Sequence, residues 1–265
     1  AGLSPQTPGT TLQIACGTSL QAALTLGAKI ATGEIDSGIA AGSDTVSDSP
    51  VVLGPKMQKR MIAMSRARTT GEKLSAFKGF NFGEITPVAP STQEPRTGLS
   101  MGEHCELMAK QWGISREAQD LLALRSHQNA AAAYDSGFHD DLIVPCAGIY
   151  KDNNIRPDTS LEKMATMKPA FDKKSGKGTL TAANSTPLTD GASSVLLASE
   201  DWARERDLPI LGYLTMGAVS ANDFAHGDGL LMAPTIAVSD LMRRSGLSFA
   251  DIDLFELHEA FAAQV

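Results

Sequence analysis

The chain of 265 residues is long enough for one large domain or two modest ones, and at 42% hydrophobic and 20% charged it has the apolar material for a core, which excludes wholesale disorder. A net charge of −7 excludes a general nucleic-acid binder, and no apolar run reaches the roughly 18 residues of a membrane span. Three cysteines, Cys16, Cys105 and Cys146, are too few and too scattered for a disulfide framework or a paired-cysteine zinc site; no metal site is expected, and free thiols fit a reducing compartment.

In chain order, Thr11, Leu12 and Ile14 read as a short strand. Apolar and small residues at Leu20, Ala23, Leu24, Gly27 and Ile30 follow a helical period that ends near Gly33. The small residues of 37–43 read as a buried strand, so the opening has the strand, helix, strand order of an α/β layer. Residues 50–100 depart from it. Between Lys56 and Phe82 stand seven basic side chains and one acid, a net of +6 set against −13 in the remainder. Met57, Met61 and Met64 share a helical face, with Leu74, Phe77, Phe80 and Phe82 beyond them, and the segment reads as a basic amphipathic helical hairpin. A link containing Pro87, Pro90 and Pro95 leads to a helix over about Gly102 to Trp112 and to another that starts at Ser115 as N-cap and runs to Gly137. Residues 142–150 look extended and 151–178 loop-like. Regular patterning returns at Leu180-Thr181-Ala182, with a helix opening near Asp190-Gly191, an apolar run at 195–198, a further regular stretch over 210–219 and a helix over 234–245. A strand over 254–257 then runs into a helix that opens at His258.

Two residues stand where sites form. A cysteine between a strand and a helix, as Cys16 is predicted to be, meets unpaired N–H groups and the positive end of the helix dipole, which favour a thiolate nucleophile. The same residue also reads as a buried small hydrophobe. His258, at a strand-to-helix junction, can donate to an oxyanion or orient a water, or simply cap a helix. Cys105 and Cys146 read as structural. His104, His127, His139 and His226 read as surface or packing residues, with His226 to Gly229 a flexible loop. The hydroxyl-bearing stretch 184–192, read as a helix start, offers donors to amide or phosphate groups of a ligand, or forms an ordinary N-cap turn. No GxxxxGK[ST], GxGxxG or HExxH pattern occurs.

Four segments, in order and over essentially the whole chain, resemble the thiolase family: Ile14-Ala15-Cys16-Gly17-Thr18-Ser19; Met101-Gly102 entering a helix; Lys168-Pro169-Ala170-Phe171-Asp172 with Leu180 through Thr186; and His258-Glu259-Ala260-Phe261-Ala262-Ala263-Gln264. Histidine at 258 together with the basic hairpin is similar to the 3-ketoacyl-CoA thiolases of fatty-acid oxidation complexes, the trifunctional type. The resemblance implies an α/β thiolase fold, layered αβαβα, with two related core halves and a helix-rich loop domain. Residues 1–48 would complete the first core domain, 49–178 would form the loop domain, and 179–265 would return to the core and begin the second core domain.

The resemblance also implies a mechanism. Cys16 would attack the 3-keto carbon of a 3-ketoacyl-CoA and keep the acyl group, and a second CoA would remove it. His258 with a water would stabilise the enolate oxygen of acetyl-CoA. Met101, Phe171, Thr186, Leu188 and Phe261 would line the pantetheine channel, and Arg156 would lie near the nucleotide of CoA. No cofactor is held permanently, since CoA is a substrate, and a homodimer or higher homo-oligomer is implied. The hairpin of 56–82 would meet an anionic membrane surface or a hydratase/dehydrogenase subunit, or fold over the site entrance with its charges in solvent. The family also uses a Gly-His-Pro histidine and a second cysteine, both after the His258 segment. The chain opens at Ala1-Gly2-Leu3 without Met and stops at Gln264-Val265, so the expectation is a piece cut at both ends and incompetent alone. The rival functions are acetoacetyl-CoA synthesis from two acetyl-CoA and a non-catalytic acyl-CoA- or lipid-binding paralogue. The expected compartment is the bacterial cytoplasm or the mitochondrial matrix.

Overall fold

The computed structural model describes residues 2–227 and 229–265, so Ala1 and Asp228 of the His226 to Gly229 loop lie outside the described residues. In chain order its elements are α1 (Thr18–Ala31), β1 (Ser37–Asp44), β2 (Val52–Leu53), α2 (Pro55–Arg66), α3 (Thr70–Ser75), β3 (Pro87–Val88), α4 (Met101–Gln111), α5 (Arg116–Asp135), α6 (Leu161–Ala165), β4 (Gly191–Ala198), α7 (Glu200–Arg204) and α8 (Ala233–Ser245). They divide into two units, one made of the chain up to Thr45 with Gly102–Val265, the other of Val46–Met101.

In the first unit, α1 lies on β1, and small residues set the spacing. A Cβ added to Gly38 would fall 3.0 Å from the Leu26 side chain, tighter than ordinary packing allows. β1 pairs antiparallel with β4 from Ser37 opposite Ala198 to Asp44 opposite Gly191. This corrects two expectations. The helix expected to open at Asp190-Gly191 is a strand, because β1 pairs with it in register along all of 191–198; tertiary pairing overrides the local cap-like sequence. The strand expected to be buried has Ala40 as its sole buried residue, since the sheet has only two strands among the described residues.

Other expected strands are absent. Over 11–14 the Ile14 N–H donates to Thr18 Oγ1 at 3.1 Å and the Ala15 N–H to Gln13 Oε1 at 3.0 Å, so local side chains take the bonds a strand needs. Residues 142–150 form a turn closed by reciprocal Cys146 and Ile149 backbone bonds, with Ala147 and Gly148 at positive φ. Residues 210–219 carry no regular structure, and neither do 254–257. His258 therefore does not stand between a strand and a helix: the residues after it form turns and a bridge from Phe261 to Ser185.

The core of this unit forms around one face of α4. Cys105, Met108 and Ala109, spaced at i, i+3 and i+4, meet Leu180, Ala260, Phe261 and Ala263, with Phe171 and Ile114 packed against them. α5 starts as expected, with the Ser115 hydroxyl accepting the Ala118 N–H at 3.1 Å.

The second unit contains the basic hairpin as α2 and α3, the latter opened by a Thr69/Glu72 capping box. Arg60 ties it together. Its guanidinium donates to the Ala76, Lys78 and Gly79 carbonyls at 2.9, 3.0 and 3.1 Å and to Glu84 at 2.6 Å. Glu84 is held below the usual carboxylate range, chiefly by that hydrogen bond. One of the hairpin's seven cations is thus spent on its own fold.

Candidate active site

A cleft of about 550 Å³ opens in the first unit. Its walls are one face of α5 (Leu122 to His127), the segment 154–167, the turn 182–187, and His258, Glu259 and Ala262. The sequence places the last two walls more than seventy residues apart; backbone pairing joins them. The Thr186 N–H donates to the Ala260 carbonyl at 2.9 Å, the Ala262 N–H to the Asn184 carbonyl at 3.0 Å, and Ser185 bridges Phe261.

A buried polar network fixes the turn to the helices. The Glu106 carboxylate on α4 accepts the Thr179 N–H at 2.8 Å, the Thr179 hydroxyl at 3.0 Å and the Leu180 N–H at 3.0 Å. Asp120 on α5 accepts from Arg116 at 2.7 Å and from the Asn184 amide at 2.8 Å. These bonds are charge-assisted and desolvated, which makes each worth about 1.5–3 kcal/mol. Sequence reasoning singles out Asn184 as part of the 184–192 stretch but misses Glu106 and Asp120, for which a carboxylate at an interior position of an amphipathic helix is the signal available.

Of the residues singled out from sequence, Arg156, Thr186 and His258 share the cleft. Phe171 and Phe261 lie in the core, ring edge to ring face with centroids 5.7 Å apart. Leu188 is 76% exposed and lines no part of the cleft. Met101 belongs to the other unit. Cys16 is exposed in the 3-10 turn Ala15–Gly17 at the start of α1, and it does not line this cleft. Ala15 before it sits at φ +47°, and the Thr18 hydroxyl holds that turn by donating to the Ala15 carbonyl at 2.7 Å. The stretch 184–192 begins no helix, and the Thr186 N–H is committed to the Ala260 carbonyl instead of facing a ligand.

The remaining cysteines and histidines sort by environment. Cys105 is fully buried and its thiol is pushed up to about 12, first by burial and then by Glu106, so it is inert. Cys146 is exposed. His104 is buried against Phe224, His139 packs on Tyr134, and His226 pairs with Asp223 at 3.4 Å. His127 is the exception: read as surface or packing, it lines the cleft, and its Nδ1 accepts the Arg156 N–H at 3.3 Å. Burial, and then the Arg156 charge, lower its pKa against the pull of Glu259 and Asp152. Cations (Arg156, Lys163), imidazoles and the Glu259 carboxylate, which the Ser126 hydroxyl meets, thus surround a space with apolar patches at Leu122, Met164 and Met167. Among the described residues, no group of three or more His, Cys, Asp or Glu is arranged to hold a metal ion, and no helix is long and apolar enough to cross a membrane.

Comparison with known proteins agrees with this picture. Residues 1–201 match the family model described as thiolase, N-terminal domain, and 209–265 match thiolase, C-terminal domain. The chain is 42% identical, over 99% of its length, to proteins named 3-ketoacyl-CoA thiolase from Serratia proteamaculans and Yersinia pestis, and it spans 61% of the length of each. Among solved structures, human mitochondrial 3-ketoacyl-CoA thiolase in complex with CoA superposes with a TM-score of 0.74 at 27% identity, covering 94% of this chain and 58% of that one. The Bacillus anthracis acetyl-CoA acetyltransferase gives 0.74 at 31% identity, covering 94% and 59%. The fold is that of the thiolases, as the motif order implied.

Proposed function

Because the chain belongs to the thiolase family, we propose that the protein it represents is an acyltransferase that cleaves 3-ketoacyl-CoA with CoA, yielding acyl-CoA and acetyl-CoA. The observation that carries this reading is the single cleft on which the 184–186 and 258–262 segments converge through backbone pairing. The 42% identity to proteins named 3-ketoacyl-CoA thiolase supports the substrate class.

In this mechanism the Cys16 thiolate attacks the C3 carbonyl. The bond between C2 and C3 breaks, its electron pair passes to the acetyl-CoA enolate, and C3 remains as a thioester on Cys16. The enolate takes a proton from a general acid and leaves as acetyl-CoA. A second CoA thiol, losing its proton to a base, attacks the thioester and frees Cys16. The motif order assigns that acid and base to residues after the His258 segment. Exposure of Cys16 at the start of α1 leaves its sulfur open to a substrate carbonyl, which supports its role. His258 would donate, through a water, to the enolate oxygen. Thr186 and Arg156 would take the pantetheine arm and nucleotide end of CoA, with Phe171 and Phe261 backing the arm. Homo-oligomerisation is part of this reading, as is a reducing compartment, the bacterial cytoplasm or the mitochondrial matrix. The cationic face of 56–82 would serve an anionic membrane surface or an oxidation-complex subunit.

Incubation of the full chain with acetyl-CoA followed by peptide mass spectrometry should find the acetyl group on Cys16. A Cys16→Ser variant that retains full thiolysis refutes the assignment. The likeness to an acetyl-CoA acetyltransferase favours a second reading, acetoacetyl-CoA synthesis from two acetyl-CoA. Relative kcat/KM for C4 against C16 substrates separates the two. The position of Cys16 outside the cleft favours a third, a non-catalytic acyl-CoA- or lipid-binding paralogue, which predicts CoA binding without acetylation.

A further inference from the structure

Asn184 is 2% exposed, and its side-chain oxygen, its amide nitrogen and its carbonyl are all hydrogen-bonded. Its side-chain oxygen accepts the Thr181 N–H at 2.7 Å; its amide nitrogen donates to Asp120 Oδ1 at 2.8 Å and to the Thr179 carbonyl at 3.2 Å. Its own carbonyl accepts the Ala262 N–H at 3.0 Å. Asp120, 4% exposed, accepts on its other oxygen from Arg116, whose guanidinium also donates to the Met164 carbonyl and, at 3.4 Å, to the Met167 carbonyl. The chain of bonds Arg116, Asp120, Asn184 therefore touches α5, the end of the 154–167 segment, the 182–187 turn and the 258–262 segment. These are the four walls of the cleft.

We propose that the buried Asp120–Asn184 pair is a positioning device that holds the His258 segment in register with the ligand-binding turn, making Asn184 a positioning residue for what binds in the cleft. The chemistry leaves little choice at 184. A carboxylate only accepts, so the group facing Asp120 must donate, while the group facing Thr181 must accept; an amide of this length does both. Aspartate would set two carboxylates against each other, and leucine would leave Asp120 with one buried oxygen unpaired, each at a substantial cost. The reciprocal exchange is different. Asparagine at 120 can present its oxygen to Arg116 and its amide nitrogen to an aspartate at 184, which still accepts from Thr181, so the pair survives with its polarity reversed; the cost is a carboxylate oxygen facing the Thr179 carbonyl and a neutral partner for Arg116, which sets the residual gap to the parent.

The experiment uses the full chain and compares Asn184→Asp, the double variant Asp120→Asn/Asn184→Asp, and Met108→Ala as a core control. Two readouts are taken: amide hydrogen exchange over 181–187 and 258–264, and the dissociation constant for CoA by calorimetry. Asn184→Asp should speed exchange in both segments and weaken CoA about tenfold, as loss of one buried charge-assisted bond would. The double variant should restore both to within about threefold of the parent, and Met108→Ala should lower Tm while leaving the CoA dissociation constant within about twofold. The proposal is overturned if Asn184→Asp leaves exchange and affinity unchanged, if the double variant fails to restore them, or if Met108→Ala moves CoA affinity as far. Should Asn184→Asp not fold, the double variant against the parent decides alone. The choice of CoA rests on the thiolase reading: a parent chain that does not bind CoA sinks that reading, whereas the exchange data still judge the brace.

Discussion

The Phe171 ring occupies the space that a side chain at residue 102 would need: a Cβ built on Gly102 falls 2.1 Å from the ring. The same ring meets Phe261 edge to face. Glycine at the start of α4 is thus a packing requirement, and it links the Met101-Gly102 motif to the Lys168–Asp172 and His258–Gln264 motifs in one contact. Gly102→Ala should destabilise the chain by about 1–3 kcal/mol through overpacking, lowering Tm by several degrees. Adding Phe171→Leu should recover part of the loss, which thermal denaturation of the single and double variants would measure.

Asp172 is held well below the usual carboxylate range, first by Lys110, then by the Ser175 hydroxyl and the Ser175 N–H. A depressed carboxylate contributes stability that is complete above its unfolded pKa of about 3.9 and is lost as pH falls through the folded value. Asp172→Asn should therefore lower Tm at pH 7, and the gap to the parent should narrow below about pH 4. A gap that stays constant to the most acidic pH at which the fold persists would contradict the Lys110 pairing.

His127 accepts the Arg156 N–H at Nδ1, so its neutral form carries the proton on Nε2. Its lowered pKa means that the unfolded chain binds a proton more readily, so this group takes away stability as pH falls below its unfolded value of about 6.5. His127→Gln should flatten the Tm profile between neutral and mildly acid pH. Nitrogen-15 chemical shifts at pH 7 should report the Nε2–H tautomer.

Arg60 differs from its basic neighbours in being an internal clamp. Arg60→Lys loses the planar fork that reaches three carbonyls and Glu84, and should loosen the hairpin, seen as faster amide exchange over 76–84. Lys59→Glu with Arg66→Glu should leave that exchange unchanged. The same pair of substitutions tests the cationic face: anionic-liposome co-sedimentation that does not change rules out the membrane role.

How far the sequence could be read depended on the range of the interactions. α1, α4, α5 and α8 were legible because spacing and caps such as Ser115 act within one turn of helix. The strands at 11–14 and 254–257 were misread, and the strand at 191–198 was taken for a helix start, because strand formation depends on a partner the local sequence does not name. The pairing of Asp120 with Asn184 is not legible for the same reason: 64 residues separate the two ends of their hydrogen bond.

Composition and charge set the class of molecule, with net −7 concealing the cationic 56–82 segment, and the order of the motifs determined the family and the candidate nucleophile. The tertiary structure decided which candidates meet. It joined Thr186, Arg156 and His258 on one cleft, added His127, moved Phe171 and Phe261 into the core, put Cys16 at an exposed helix start outside the cleft, and turned Arg60 inward. Residue type and spacing specify what a side chain can do, whereas burial, pairing and desolvation, which fix what it does, arise only when distant segments of the chain pack together.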